Sequence, residues 1–119
     1  MTALRDFEVK AIRILASSKL SPAALDAIVK APKLLRYEYT GCGYLATVEV
    51  PLAISEPTVL CEPHVTGTLG ATVCSFVLHL RGHEATLECE PCYGPDAGPD
   101  FRECTVVVAG KPGNIIDLR

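Results

Sequence analysis

The chain has 119 residues, 49% of them hydrophobic and 21% charged, with a net charge of −3, aromatics at 6% and no tryptophan. This is enough apolar material for one core of ordinary size, about 100–150 residues, and it excludes a disordered chain. The few aromatics leave little for base stacking, which argues against nucleic-acid binding, and no stretch reaches the roughly 18 unbroken apolar residues of a membrane span.

Charge is unevenly spread: residues 1–40 carry seven Lys/Arg against four Asp/Glu, and residues 41–119 four against ten. The small basic excess fits solvated helix faces. Arg5, Asp6, Glu8 and Lys10 interrupt any secretory leader, so a cytoplasmic location is expected. In that compartment the six cysteines are expected as thiols, metal ligands or small buried hydrophobes.

From about residue 4 to 17, Leu4, Phe7, Ala11, Ile14 and Leu15 recur at helical spacing, with Val9 and Ile12 widening the stripe. Ser21-Pro22 supplies an N-cap followed by proline at the first helical position, which predicts a second helix over about 22–30 that Pro32 ends. The apolar period then becomes two. Leu35, Tyr37 and Tyr39 alternate with Arg36, Glu38 and Thr40, a half-buried strand. Gly41-Cys42-Gly43 turns it into a second arm, Tyr44 to Val50. Pro51 is expected to close that arm, with a loop over 51–58 and a short edge strand from Thr58 to Val65. Residues 66–70 read as a turn, Ala71 to Leu80 as the central strand, Arg81-Gly82-His83-Glu84 as a tight turn and Ala85 to Glu90 as its partner. After a proline-rich loop over 91–99, Phe101 to Ala109 reads as a final strand with Val106 and Val108 inside. In the tail, 110–119, Ile115, Ile116 and Leu118 are placed to cover an edge or a partner chain. The layout is a single α+β domain over 1–119. Two N-terminal helices pack on one face of a curved, mostly antiparallel sheet of five or six strands spanning about 34–109.

The run from Leu34 to Tyr44, Leu-Leu-Arg-Tyr-Glu-Tyr-Thr-Gly-Cys-Gly-Tyr, with Val50-Pro51 after it, resembles an uncharacterised family of small bacterial α+β proteins. In that family two helices lead into a TGxGF/Y hairpin, a strand like Cys74-Ser75-Phe76-Val77-Leu78, a strand like Leu87-Glu88-Cys89 and a proline-containing loop ending near Phe101-Arg102. The likeness covers roughly residues 11–103 as an order of motifs. It departs at Arg81-Gly82-His83, where the family has an Asp-Gly turn, and at Cys92-Tyr93, where it has Trp-Pro. The resemblance implies the order of elements and no activity.

The sharpest chemical pattern is a pair of similar tetrapeptides, Cys61-Glu62-Pro63-His64 and Cys89-Glu90-Pro91-Cys92. Two-residue spacers let both ligands of a turn face one ion, and one His with three Cys is an accepted tetrahedral zinc set. Against zinc stand the lack of knuckle glycines and the place of Cys89 beside Leu87 on a core-facing alternation. A thiol nucleophile is also conceivable, with Cys42 or Cys92 exposed and His64, His79 or His83 as base. The Cys89–Cys92 spacing is that of redox pairs but lies in strand and proline loop rather than at a helix start. His79 and His83 are four apart, which aligns ligands only on a helix. Glu88, Glu90, Asp96, Asp100 and Glu103 form an acidic group best explained as an exposed face.

No catalytic constellation stands out, so the sequence favours a non-enzymatic binding or protein-interaction domain without a cofactor. Its expected partner is a second copy or another protein, not nucleic acid or membrane. The alternatives are a zinc-stabilised module through Cys61, His64, Cys89 and Cys92 and, behind it, a thiol-dependent enzyme.

Overall fold

A computed structural model describes residues 3–95 and 98–110 of the chain, apart from the side chains of Leu52 and Tyr93. Helix α1 spans Asp6–Ala16 and buries Phe7, Ala11, Ile12 and Leu15 of the stripe read from sequence together with Glu8 and Ala16, whereas Val9 and Ile14 are only part-buried. The Glu8 carboxylate reaches back to the Arg5 N–H at 2.8 Å, satisfying an otherwise orphan donor at the helix start. Helix α2 spans Pro22–Val29, with Ser21 Oγ accepting from the Ala24 N–H at 3.1 Å and Pro22 in the first turn, where its missing N–H costs nothing. The last turn bonds Lys30 N–H to Asp26 C=O, and Pro32 follows.

The strands are β1 (Leu34–Tyr39), β2 (Tyr44–Leu60), β3 (Val65–Leu69), β4 (Thr72–Tyr93) and β5 (Val107–Gly110). They form one sheet in the order β1-β2-β4-β3-β5, every pair antiparallel. At about 3.3 Å per residue, the 22 residues of β4 would span roughly 70 Å if straight. The molecule measures only 38 × 36 × 25 Å, so β4 doubles back. His79 and Glu88, nine positions apart, touch at 2.9 Å, where a straight strand would hold their backbones about 30 Å apart. The reversal falls at Gly82, whose φ of +57° suits glycine. Buried positions change parity there, from Cys74, Phe76, Leu78 and Leu80 to Ala85, Leu87 and Cys89, as a two-residue turn requires if both arms are to present apolar side chains to one side. The tight turn expected at 81–84 is therefore present. β2 follows both arms, pairing Tyr44–Glu49 with Cys89–Glu84 and Thr58–Leu60 with Leu80–Leu78.

Several boundaries differ from expectation. Pro51 does not close the second arm: β2 continues through 51–57, its exposed prolines lying where the register slips between Glu49 and Thr58, a place where a missing donor is tolerated. Residues 65–69 are a strand and not a turn. The reversal is two residues long at Gly70-Ala71, between the paired Leu69 and Thr72, and Gly70 takes the positive φ of +61°. Residues 101–103 form a short 3-10 helix, and β5 begins only at Val107, after the chain has passed the start of α1. β1 is an edge strand more exposed than a half-buried reading implies, with Leu35 38% and Tyr37 39% accessible. The expected roles of Ile115, Ile116 and Leu118 lie outside the described residues.

Both helices lie on one side of the sheet, α1 against β3, β4 and β5, and α2 against β2. The core is the layer between, built of Phe7, Ile12, Leu15, Ile28, Tyr44, Val48, Val50, Phe76, Leu78, Leu80, Leu87 and Phe101. It is an α+β fold with its helices at the N-terminus. Among the described residues no helix is long and apolar enough to cross a membrane.

Candidate functional site

The helix side of the sheet contains the most concentrated polar chemistry, and that chemistry is closed. Glu8, fully buried, receives Arg102 Nε at 2.6 Å and Tyr44 OH at 2.6 Å on one oxygen, and Arg102 Nη2 at 2.7 Å with the Arg5 N–H on the other. Arg102 also donates to Ala3 C=O at 2.9 Å and lies 5.7 Å from the Tyr37 ring centroid. Tyr37, Tyr44, Phe101, Phe7 and Phe76 form a chain of ring contacts around the pair. Burial, then the Glu8 carboxylate beside it, holds the Tyr44 hydroxyl far above the usual phenol range. Among the described residues no buried side-chain nitrogen or oxygen lacks a partner, so this cluster has no group left over for a substrate. Its role is to fasten α1 to the crossing segment. Sequence reading passed over it, although Glu8 stands in line with Ile12 and Leu15 on the apolar stripe.

The cysteines and histidines singled out by sequence are dispersed. Cys61 and His64 are exposed around the turn from β2 to β3, Cys92 is exposed near the end of β4, and Cys89 is buried. Among the described residues no three His, Cys, Asp or Glu side chains are gathered into one group. Cys89 faces inward and hydrogen-bonds with Cys74 of the other β4 arm. That bond first, and burial second, push its thiol well above the ordinary range, which suppresses the thiolate. Cys42 is exposed in the β1–β2 turn. His79 pairs with Glu88, and His83 Nδ1 lies 3.1 Å from Val50 C=O, so both histidines have partners other than a thiol. Of the acidic group, Glu88 serves His79 and Glu103 meets Arg5 at 2.6 Å, whereas Asp96 lies outside the described residues.

Among the described residues no helix lies on the opposite side of the sheet. There, where β2 wraps around the β4 reversal, lies a trough of about 550 Å³ lined by Arg36, Leu45, Pro57, Thr58, Val59, His79, Leu80, Arg81, Glu84, Thr86 and Glu88. Its walls are mostly apolar, and Val59 is 57% accessible at its margin. Polar pairs cross it: Arg36 to Glu84 at 2.6 Å, His79 to Glu88 at 2.9 Å, and Thr47 to Thr86 at 2.8 Å beside it. The hydrogen bond between Arg36 and Glu84 raises the guanidinium pKa and lowers that of the carboxyl, keeping both charged. A larger hollow of about 710 Å³ lies between the start of α1 and residues 102–106, but it is mostly polar and the Arg5–Glu103 ion pair joins its two sides. The trough can hold an apolar side chain flanked by charges of both signs. It has no activated nucleophile.

No protein-family model matches the chain, and no curated protein or solved structure is significantly similar to it.

Proposed function

We propose that the protein is a non-enzymatic protein-interaction domain that uses the helix-free side of its sheet. One observation carries this reading: the polar groups of the helix side are spent on each other, whereas the other side presents an apolar-walled trough with Val59, Leu45 and Pro57 beside charged residues of both signs. A partly apolar centre with a polar rim is the anatomy of a protein contact, and the mixed charges select a protein surface over a polyanion or lipid. His79 and Glu88 act as a positioned hydrogen-bonding pair that gives the trough orientation specificity.

The test is affinity capture by the full chain compared with Val59→Asp, an exposed substitution that leaves the core untouched. A defined protein retained by the wild type and lost with Val59→Asp, at unchanged thermal stability, supports the reading. Binding indifferent to Val59, or turnover of model ester or phosphate substrates abolished by His79→Ala, overturns it.

A further inference from the structure

Among the described strands β1 ends the sheet, and β2 is the element that packs broadly on it. The Thr40 N–H bonds to Gly43 C=O at 2.9 Å, which makes 40/43 a hydrogen-bonded pair. In the antiparallel register Glu38↔Leu45 and Arg36↔Thr47, alternation makes those two pairs hydrogen-bonded as well. The backbone N–H and C=O of Tyr37 therefore point away from the sheet, into the space an added strand would occupy. The same edge leaves Leu35 and Tyr37 more than a third accessible.

We infer that β1 pairs antiparallel with β1 of a second copy about a two-fold axis through Tyr37, joining two sheets into one. Two-fold pairing must set outward-facing residues opposite each other; an axis at Leu35 falls in the bulge and one at Tyr39 at the strand end, where few residues pair, which leaves axes at Arg36, Tyr37 or Glu38. An axis at Arg36 sets two arginines face to face, and one at Glu38 sets two glutamates face to face. Only the axis at Tyr37 puts Arg36 opposite the partner's Glu38, twice by symmetry, with Tyr37 on the partner's Tyr37 and Leu35 beside the partner's Tyr39. Arg36 and Glu38 share the face of β1 that leads into the trough, so the guanidinium would lie between Glu84 of its own chain and the partner's Glu38. The bulge between Leu34 and Arg36 limits the ladder to a few residues, which makes the dimer weak and salt-sensitive. This deepens the protein-interaction reading by naming a second copy as one partner, and it rests on that reading.

Sedimentation equilibrium of the full chain tests it. The wild type is expected to show a reversible monomer–dimer equilibrium. Glu38→Arg and Arg36→Glu should each raise the dissociation constant by roughly tenfold or more, because like charges then face each other twice. An equimolar mixture of the two variants should recover association, since each then supplies the charge the other lacks, and unchanged circular dichroism excludes misfolding as the cause. A wild type that stays monomeric to millimolar concentration, a dimer indifferent to Glu38→Arg, or a mixture that fails to associate overturns the inference. In all three cases a partner lost with Val59→Asp would leave the interaction reading standing.

Discussion

Glu8, in the first turn of α1, and Arg102, in the 3-10 helix before β5, are separated by 94 positions and joined by two hydrogen bonds of 2.6 and 2.7 Å with both side chains buried. Because Glu8 also caps its own helix and holds Tyr44, one carboxylate ties together the N-terminal helix, the sheet and the crossing segment. Removing one partner leaves the other charged and desolvated. Glu8→Ala or Arg102→Ala is expected to cost about 3–5 kcal/mol, and the paired replacement Glu8→Leu with Arg102→Met to recover only part of that loss, because the buried Tyr44 hydroxyl also loses its acceptor. Urea denaturation of the three variants measures it.

Stability is expected to fall with alkaline pH in two stages. The thiol of Cys89 and the hydroxyl of Tyr44 are both raised above their ordinary values, so the fold favours their neutral forms. The stability they contribute is present below the unfolded pKa values and is lost as pH rises, from about 8.5 for the thiol and from about 10 for the phenol. Cys89→Ala should flatten the first part of the decline and Tyr44→Phe the second. At neutral pH, Tyr44→Phe costs about 1.5–3 kcal/mol for the lost hydrogen bond to a carboxylate. Thermal melts across pH 7 to 11 read all of these effects.

Sulfhydryl titration should divide the cysteines sharply. Cys42, Cys61, Cys92 and Cys104 are exposed and should react in the native protein, whereas Cys74 and Cys89 should react only after denaturation. One hyper-reactive thiol among the first four would point to cysteine chemistry that the geometry does not show.

Gly67 is needed for its lack of a side chain. A Cβ there would lie 2.8–2.9 Å from the Phe76 ring and from Val106 Cγ1, so β3 approaches β4 and the Val106 segment only as glycine. Gly67→Ala is expected to destabilise by about 1–3 kcal/mol through overpacking, measurable as a shifted urea midpoint.

The helices, the change of period near Lys33 and the Gly82 reversal were legible because each rests on local chemistry: an N-cap serine before proline, alternating side chains, a glycine with positive φ. The continuation of β2 through Pro51 and Pro57 was not, because local preference is overridden where a strand wraps around its partner and the register slips. The Cys-Glu-Pro repeats stood out as spacing, but spacing does not show that Cys89 turns inward to Cys74 while Cys61 faces solvent. The Glu8–Arg102 pair and the His79–Glu88 pair depend on which strands fold back beside which, information that lies in the sheet order and not in any one segment.

If the molecule meets its partners on the helix-free side of the sheet and along β1, those surfaces must lose solvent when partners are present. Hydroxyl-radical footprinting of the full chain, in native extract against dilute purified protein, reads that loss even while the partner is unidentified. Protection of Val59, Leu45, Leu35 and Tyr37, with the outer faces of α1 and α2 unchanged at Lys10, Arg13 and Ala23, is the predicted result. Protection concentrated on those helix positions, with Val59 and Leu35 as reactive in extract as in dilute solution, would contradict it.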